Sequence, residues 1–180
     1  MAVKDYGRAL VYVPDALRTA ALCRTAVERD GLALEHVPKE LFTEDLCKAA
    51  VENAGNALSY VPVALRTKEV CEMAVNNNGR ALAYVPYALC TAGLCRTAVE
   101  RKGVALKHVP GALRTEELCK TAVLMDHEAL EYVPETRRTE ELCTALLKSC
   151  AEKTYHTKEY VLYNIPAAIR LRLAVRHVYA

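Results

Sequence analysis

Apolar and polar positions along this chain follow a pattern that returns every 24 residues. In one copy Leu118, Cys119, Ala122 and Val123 stand at i, i+1, i+4 and i+5, which draws a single apolar stripe along a helix of about three turns and leaves the opposite face polar and variable. Leu22, Cys23, Ala26 and Val27 repeat that stripe. Thr115 ahead of it is followed by Glu116 and Glu117, and Thr43 and Thr139 lead similar acidic pairs. Each reads as a threonine N-cap with carboxylates in the first turn, where the helix dipole favours negative charge. Gly31, Gly55, Gly79 and Gly103 follow the stripe. We read each as a left-handed C-cap residue that stops the helix and turns the chain.

After the glycine comes Ala-Leu-x-Tyr-Val-Pro. This segment is too short to stand as an independent helix and reads as a brief second helix, ended by the restriction that proline places on the residue before it. A short strand at Leu-x-Tyr-Val is the competing reading, since valine and tyrosine favour strands. Proline then opens a further tight turn, Pro-x-Ala-Leu-Arg, of 3₁₀ character, which delivers the chain to the next threonine cap.

The step is strict. Prolines stand at Pro14, Pro38, Pro62, Pro86, Pro110 and Pro134, and cysteines at Cys23, Cys47, Cys71, Cys95, Cys119 and Cys143. A fixed period of this size marks a stack in which each copy contacts its neighbours and one core runs through all of them. The expected fold is therefore all-α, an α-solenoid of 24-residue two-helix repeats wound as a right-handed superhelix. Residues 1–158 would hold six copies, with a partial copy at the start and an insertion near the end. Residues 159–180 would form a degenerate capping repeat.

Composition narrows the function. Among 180 residues 52% are hydrophobic and the formal net charge is +2, with both signs scattered, so no electrostatic footprint for nucleic acid or an acidic membrane stands out. The opening residues lack an apolar run of signal-peptide length, and no run is long enough to span a membrane. A soluble cytoplasmic protein is expected, in the producing cell or in the cytosol of a host, with no membrane partner.

Six of the eight cysteines share one position in successive copies. Packed helices lie roughly 8–10 Å apart, whereas a disulfide needs Cα atoms within about 7 Å. These thiols should be reduced and buried, behaving as small hydrophobes. Zinc is not expected, because the closest cysteine spacing is the single C-x4-C of Cys90 and Cys95 and a linear row cannot converge on one ion. No cofactor is implied. Cys90 and Cys150 fall outside the row and are the thiols expected to be accessible.

Written as T-x-x-L-C-x-x-A-V-x-x-x-G-x-A-L-x-Y-V-P, the copy resembles the bacterial repeat family known only as domain of unknown function 4116, whose members carry a run similar to E-V-V-x-x-A-V-x-x-N-G-x-A-L-x-Y. The resemblance covers Gly7 to Cys150, and its most specific element is the run from Ala74 to Tyr84. Where the family has valine, this chain has Cys23 and its five equivalents. The Val-Pro pair departs from the family's small residues. The resemblance implies no established activity.

Copies also differ in an ordered way. Gly7–Asp30 and Gly79–Lys102 agree at 19 of 24 positions, whereas Gly7–Asp30 and the adjacent Gly31–Ala54 agree at 12, so a block of three copies has been duplicated. His36 and His108 mark the same place in each block, amid Tyr12, Tyr60, Tyr84 and Tyr132, and read as packed neighbours of tyrosines, not as bases or ligands. Pro166 follows Pro134 by 32 residues, which locates an eight-residue insertion near Ala151 to Lys158. Beyond it Arg170, Arg172 and Arg176 read as compensation of a helix-end dipole.

Catalysis needs unique residues brought together, and here the notable polar residues recur, so an enzyme is not expected. The first expectation is a scaffold that presents an extended surface to a protein partner. With no tryptophan and one phenylalanine, Phe42, its contacts would fall to the ten tyrosines and the arginines. The alternative is a nucleic-acid-binding helical repeat that uses the row Arg18, Arg66, Arg114 and Arg138. Phe42 and Cys90 interrupt that row. The plainer reading is that each arginine ties down a carboxylate or the last carbonyls of the short helix.

Overall fold

The computed structural model describes residues 2–149 and 155–178, and every element there is helical, with no strand among the described residues. Two compact units divide the chain, Met1–Arg101 and Lys102–Ala180. Cys150 and the first residues of the insertion lie outside the described residues.

The N-terminal unit holds α1 (Ala2–Asp5), α2 (Ala20–Arg29), α3 (Glu44–Asn53), α4 (Lys68–Asn77) and α5 (Ala92–Arg101). From α2 onward these helices recur at the 24-residue step, each ten residues long, and α2 packs on α3, α3 on α4 and α4 on α5. Threonine begins them as the sequence implies. The Thr19, Thr43, Thr67 and Thr91 hydroxyls accept from the amides of Leu22, Leu46, Val70 and Leu94 at 3.2–3.4 Å.

Two 3₁₀ segments separate successive helices. The first, Gly7–Tyr12, Gly31–His36, Gly55–Ser59 or Gly79–Tyr84, occupies the place of the expected second helix and of the competing strand. The second, Asp15–Leu17, Lys39–Leu41, Val63–Leu65 or Tyr87–Leu89, is the 3₁₀ turn that the proline announces. A 3₁₀ run of six residues is long. It is held at its start by a side chain in three of the junctions: Asp30, Asn78 and, in the other unit, Asp126 accept through Oδ1 from the amide two residues on, at 2.9, 3.0 and 3.2 Å.

The glycines correct one expectation. None of them takes a positive φ among the described residues, so none is a left-handed C-cap. The helix instead ends on the residue before, as at Asp30 with φ −145° and ψ 108°, and the glycine opens the following 3₁₀ segment. What demands glycine is proximity: a Cβ at Gly31 would overlap the carbonyl oxygen of Ala50 in the next helix. The Ala50 position is itself small and fully buried, so the 3₁₀ segment and the helix are pressed backbone to backbone.

The core of this unit is a set of equivalent residues. Leu10, Leu34, Leu58 and Leu82 are buried from the 3₁₀ side, and Cys23, Cys47, Cys71 and Cys95 with Ala26, Ala50, Ala74 and Ala98 from the helix side. Burial of each leucine is worth about 2 kcal/mol against water.

The C-terminal unit holds the 3₁₀ segments Gly103–His108, Gly111–Leu113, His127–Tyr132 and Glu135–Arg137, with α6 (Glu116–Met125), α7 (Glu140–Ser149), α8 (Tyr155–Asn164) and α9 (Ala167–Val178). Helix α6 packs between Gly103–His108 and His127–Tyr132, and α8 packs on His127–Tyr132 and on α7. Val161 and Ile165 carry the core onward past Leu146, both buried.

Candidate functional site

The four arginines of the row share one geometry, dictated by their place just before the threonine cap. Arg18 Nε donates to Val13 O at 2.8 Å, Nη1 to His36 O at 2.8 Å and Nη2 to Val11 O at 3.3 Å. Arg66 repeats this with Val61, Tyr84 and Ser59, at 2.8, 2.8 and 3.4 Å. Arg114 does so with Val109, Tyr132 and Lys107, at 2.9, 2.9 and 3.1 Å. Two of the three carbonyls belong to the arginine's own copy and the third to the next, 18 residues on. The planar guanidinium suits this, since its donors fan out in one plane toward three separate acceptors.

Arg138 keeps the first two contacts, to Val133 and Glu131 at 2.9 and 3.1 Å, and sends Nη1 to Asn164 at 3.2 Å, 26 residues on. It also lines an open recess with Glu135, Tyr163, Pro166 and Ala167. Arg18 adds an ion pair to the exposed Asp15 at 2.7 Å. At the same position Phe42 is half-buried and Cys90 turns its Sγ to Pro86 O at 3.7 Å. Each arginine therefore closes the last turn of its own 3₁₀ segment; Arg18, Arg66 and Arg114 also pin the end of the following one, and Arg138 the end of α8.

The cysteine row is buried in both units. The thiols of Cys23, Cys71 and Cys119 lie against the carbonyl oxygens of Arg18, Arg66 and Arg114 at 3.7, 3.6 and 3.8 Å, so thiol and arginine share one peptide group. Burial pushes the thiols of Cys47, Cys71 and Cys95 up to about 11, and those of Cys23, Cys119, Cys143 and Cys90 upward as well. Cys90 is half-exposed. His36 and His108 are half-buried; desolvation first, then Lys107 and Arg114, hold His108 below the ordinary histidine value.

Two residues that the repeating pattern treats as variable act as clamps. Asn53 accepts from the Gly31 amide at 2.8 Å and donates to Glu28 O at 3.2 Å; Asn77 does the same with Gly55 at 2.7 Å and Glu52 at 2.8 Å. Each asparagine ties the end of its helix to the end of the helix before. The signal was in the sequence, as the same residue type 24 positions apart, but the other copies carry arginine, methionine or serine there.

The outward positions follow no such rule. On the helices, Lys48 pairs with Glu44 and with Glu69 of the next helix at 3.1 and 2.8 Å, a partly exposed mixture of both signs. On the turns, the residue after the proline runs Asp15, Lys39, Val63 and Tyr87 through the N-terminal unit, all exposed. Val63 and Tyr87 are 69% and 77% exposed, and they sit beside the partly exposed Tyr60 and Tyr84 on consecutive turns. Among the described residues no group of three or more His, Cys, Asp or Glu side chains is placed to hold a metal ion, and no helix is long and apolar enough to cross a membrane.

No curated protein and no solved structure matches the chain. A family model does, twice, over residues 22–66 and 43–90, the two matches overlapping across 43–66, one 24-residue step. Residues 22–90 are thus similar to the family described as Domain of unknown function (DUF4116).

Proposed function

We propose that the chain is a non-catalytic α-solenoid scaffold, a right-handed stack of its 24-residue copies in the cytoplasm, that holds a protein partner on its outward turns. The observation that carries this reading is the pair of consecutive turns bearing Val63 and Tyr87 beside Tyr60 and Tyr84. Tyrosine is a residue type that anchors protein interfaces, and exposed apolar side chains grouped on successive turns mark such surfaces. Inward of them the buried leucine and cysteine rows recur from copy to copy, whereas the exposed residue after the proline changes at each step.

The arginine row supports this reading over nucleic-acid binding. Phosphate recognition needs guanidinium donors turned to solvent along a continuous track, whereas Arg18, Arg66, Arg114 and Arg138 each already donate to three backbone carbonyls. The test is affinity capture from native lysate with the wild type and the Val63→Ser/Tyr87→Ser variant, with and without nuclease. The scaffold reading requires a set of proteins that survives nuclease and is lost with the variant. A nuclease-sensitive set, or one indifferent to the variant, overturns it.

A further inference from the structure

In the C-terminal unit three consecutive carbonyls at the end of a 3₁₀ segment, those of Glu131, Tyr132 and Val133, all receive guanidinium donors. Arg114 takes the middle one at 2.9 Å, and Arg138 takes the outer two at 3.1 and 2.9 Å. One such edge therefore accommodates two arginines from successive copies. In the N-terminal unit the equivalent edge is Ala83, Tyr84 and Val85. Arg66 takes the middle carbonyl at 2.8 Å, but the position that would serve the outer two holds Cys90. Its thiol has a single weak donor and stands 4.0 Å from Val85 O and 3.7 Å from Pro86 O. Pro86, three residues past Ala83, has no N–H to give that carbonyl. The backbone nevertheless keeps the arginine form: φ and ψ are −73° and 80° at Cys90, against −78° and 63° at Arg66 and −81° and 66° at Arg138. Phe42, the other exception in the row, has turned to −69° and 121°. Val85 and Val133 end their segments alike, at −73° and 128° and at −75° and 125°. The outer carbonyls are thus presented at Cys90 as they are at Arg138.

We infer that Ala83 O and Val85 O receive the guanidinium of an arginine carried by a polypeptide partner, which supplies in trans the donors that Cys90 lacks. The inference rests on the scaffold reading and names the chemistry that its partner must bring. Two carbonyls spaced for the Nε and Nη2 edge of an internal arginine fit the same edge of an incoming one, whereas the point charge of a lysine ammonium does not match a planar pair of acceptors. Ala83 is exposed, so the edge can be reached from solvent. Residues 81–95 carry no charged side chain, so no cation of that stretch competes for it. Tyr84 between the two carbonyls and Tyr87 in the following turn are 39% and 77% exposed, and their ring faces suit the stem and the charge of an arginine. Arg66 on Tyr84 O is no obstacle, because Arg114 and Arg138 share the equivalent edge.

An NMR titration of the nitrogen-labelled full chain tests this, with the peptide acetyl-Gly-Gly-Arg-Gly-Gly-amide, its lysine counterpart and free guanidinium ion at constant ionic strength. The arginine peptide should shift the amides of Tyr84, Val85 and Tyr87 with a Kd of about 1 mM, and the lysine peptide should bind about tenfold more weakly or worse. Tyr87→Ser should weaken the arginine peptide about two- to fivefold. Cys90→Arg fills the edge from within, so it should abolish the response and raise the melting temperature by about 2–4 °C, whereas Cys90→Ser should keep the response. The proposal is overturned by the absence of any shift up to about 10 mM, by an equal response to the lysine peptide or to guanidinium ion, by a response that survives Cys90→Arg, or by a Cys90→Arg protein that melts below the wild type. None of these outcomes touches the scaffold reading, which stands or falls with the lysate capture. Capture lost with Val63→Ser/Tyr87→Ser but kept by Cys90→Arg would overturn the arginine proposal alone.

Discussion

Arg138 donates to the backbone carbonyl of Asn164, 26 residues ahead, where Arg114 makes the same bond to Tyr132 only 18 residues ahead. The difference of eight equals the shift in the proline step, from 24 residues to the 32 between Pro134 and Pro166. The eight additional residues fall between Ser149 and Asn164, where the ten-residue α8 stands in place of the six-residue 3₁₀ segment, and the arginine still meets its acceptor. Contacts set by the fold, not distance along the chain, decide where the copy resumes.

The arginine fork makes a stability prediction. Arg66→Ala leaves three carbonyls without their charged donor, and charge-assisted bonds contribute about 1.5–3 kcal/mol each at most, so a loss of about 2 kcal/mol or more is expected for this partly exposed group. Arg66→Lys should recover less than half, since an ammonium cannot reach three acceptors spread in a plane. Chemical denaturation of the three proteins checks this, and equal midpoints for arginine and lysine would refute the fork.

Glycine gives a paired test. Gly31→Ala drives a Cβ into the Ala50 carbonyl and must separate two backbones, so it should destabilise by about 2–3 kcal/mol, the range of core overpacking. Gly93, within α5, has open space around its Cβ position. Gly93→Ala should therefore stabilise by about 0.5–1 kcal/mol through helix propensity alone. Thermal melts that move in the same direction for both would contradict the close-approach account.

Alkaline pH should unfold the protein through its thiols. Cys47, Cys71 and Cys95 are raised from 9.0 to about 11 by burial, so the folded state holds them neutral where the unfolded state would ionise. Their stabilising effect is complete below the unfolded value and is lost as pH rises from about 9 through about 11, where the unfolded chain binds fewer protons. A triple Cys47→Ala/Cys71→Ala/Cys95→Ala variant should show a shallower fall in melting temperature across that window. Parallel slopes would assign the alkaline transition to tyrosine and lysine instead.

The threonine caps, the apolar stripe and the proline turn were legible because each is local: a hydroxyl accepts from an amide three residues away, and a stripe is a matter of spacing. The glycines were misread for the complementary reason. A left-handed cap is the commonest local cause of a glycine after a helix, whereas the real cause, the Ala50 carbonyl above Gly31, lies 19 residues on in the next helix. Asn53 and Asn77 escaped notice on the same ground, as their partners Gly31 and Gly55 are 22 residues back. The arginine row was visible as a row, but its three acceptors follow only once the 3₁₀ segments are folded beside it.

Hydrogen exchange of the arginine Nε–H groups, read by NMR with and without a single-stranded oligonucleotide, tests most directly whether the arginine row is internal scaffolding and not a ligand surface. Arg18, Arg66, Arg114 and Arg138 bond through Nε to Val13, Val61, Val109 and Val133 at 2.8–2.9 Å. The account predicts four Nε–H signals that exchange slowly and keep their positions when the oligonucleotide is added. Rapid exchange of these four, or signals that shift with oligonucleotide in a salt-sensitive manner, would contradict it.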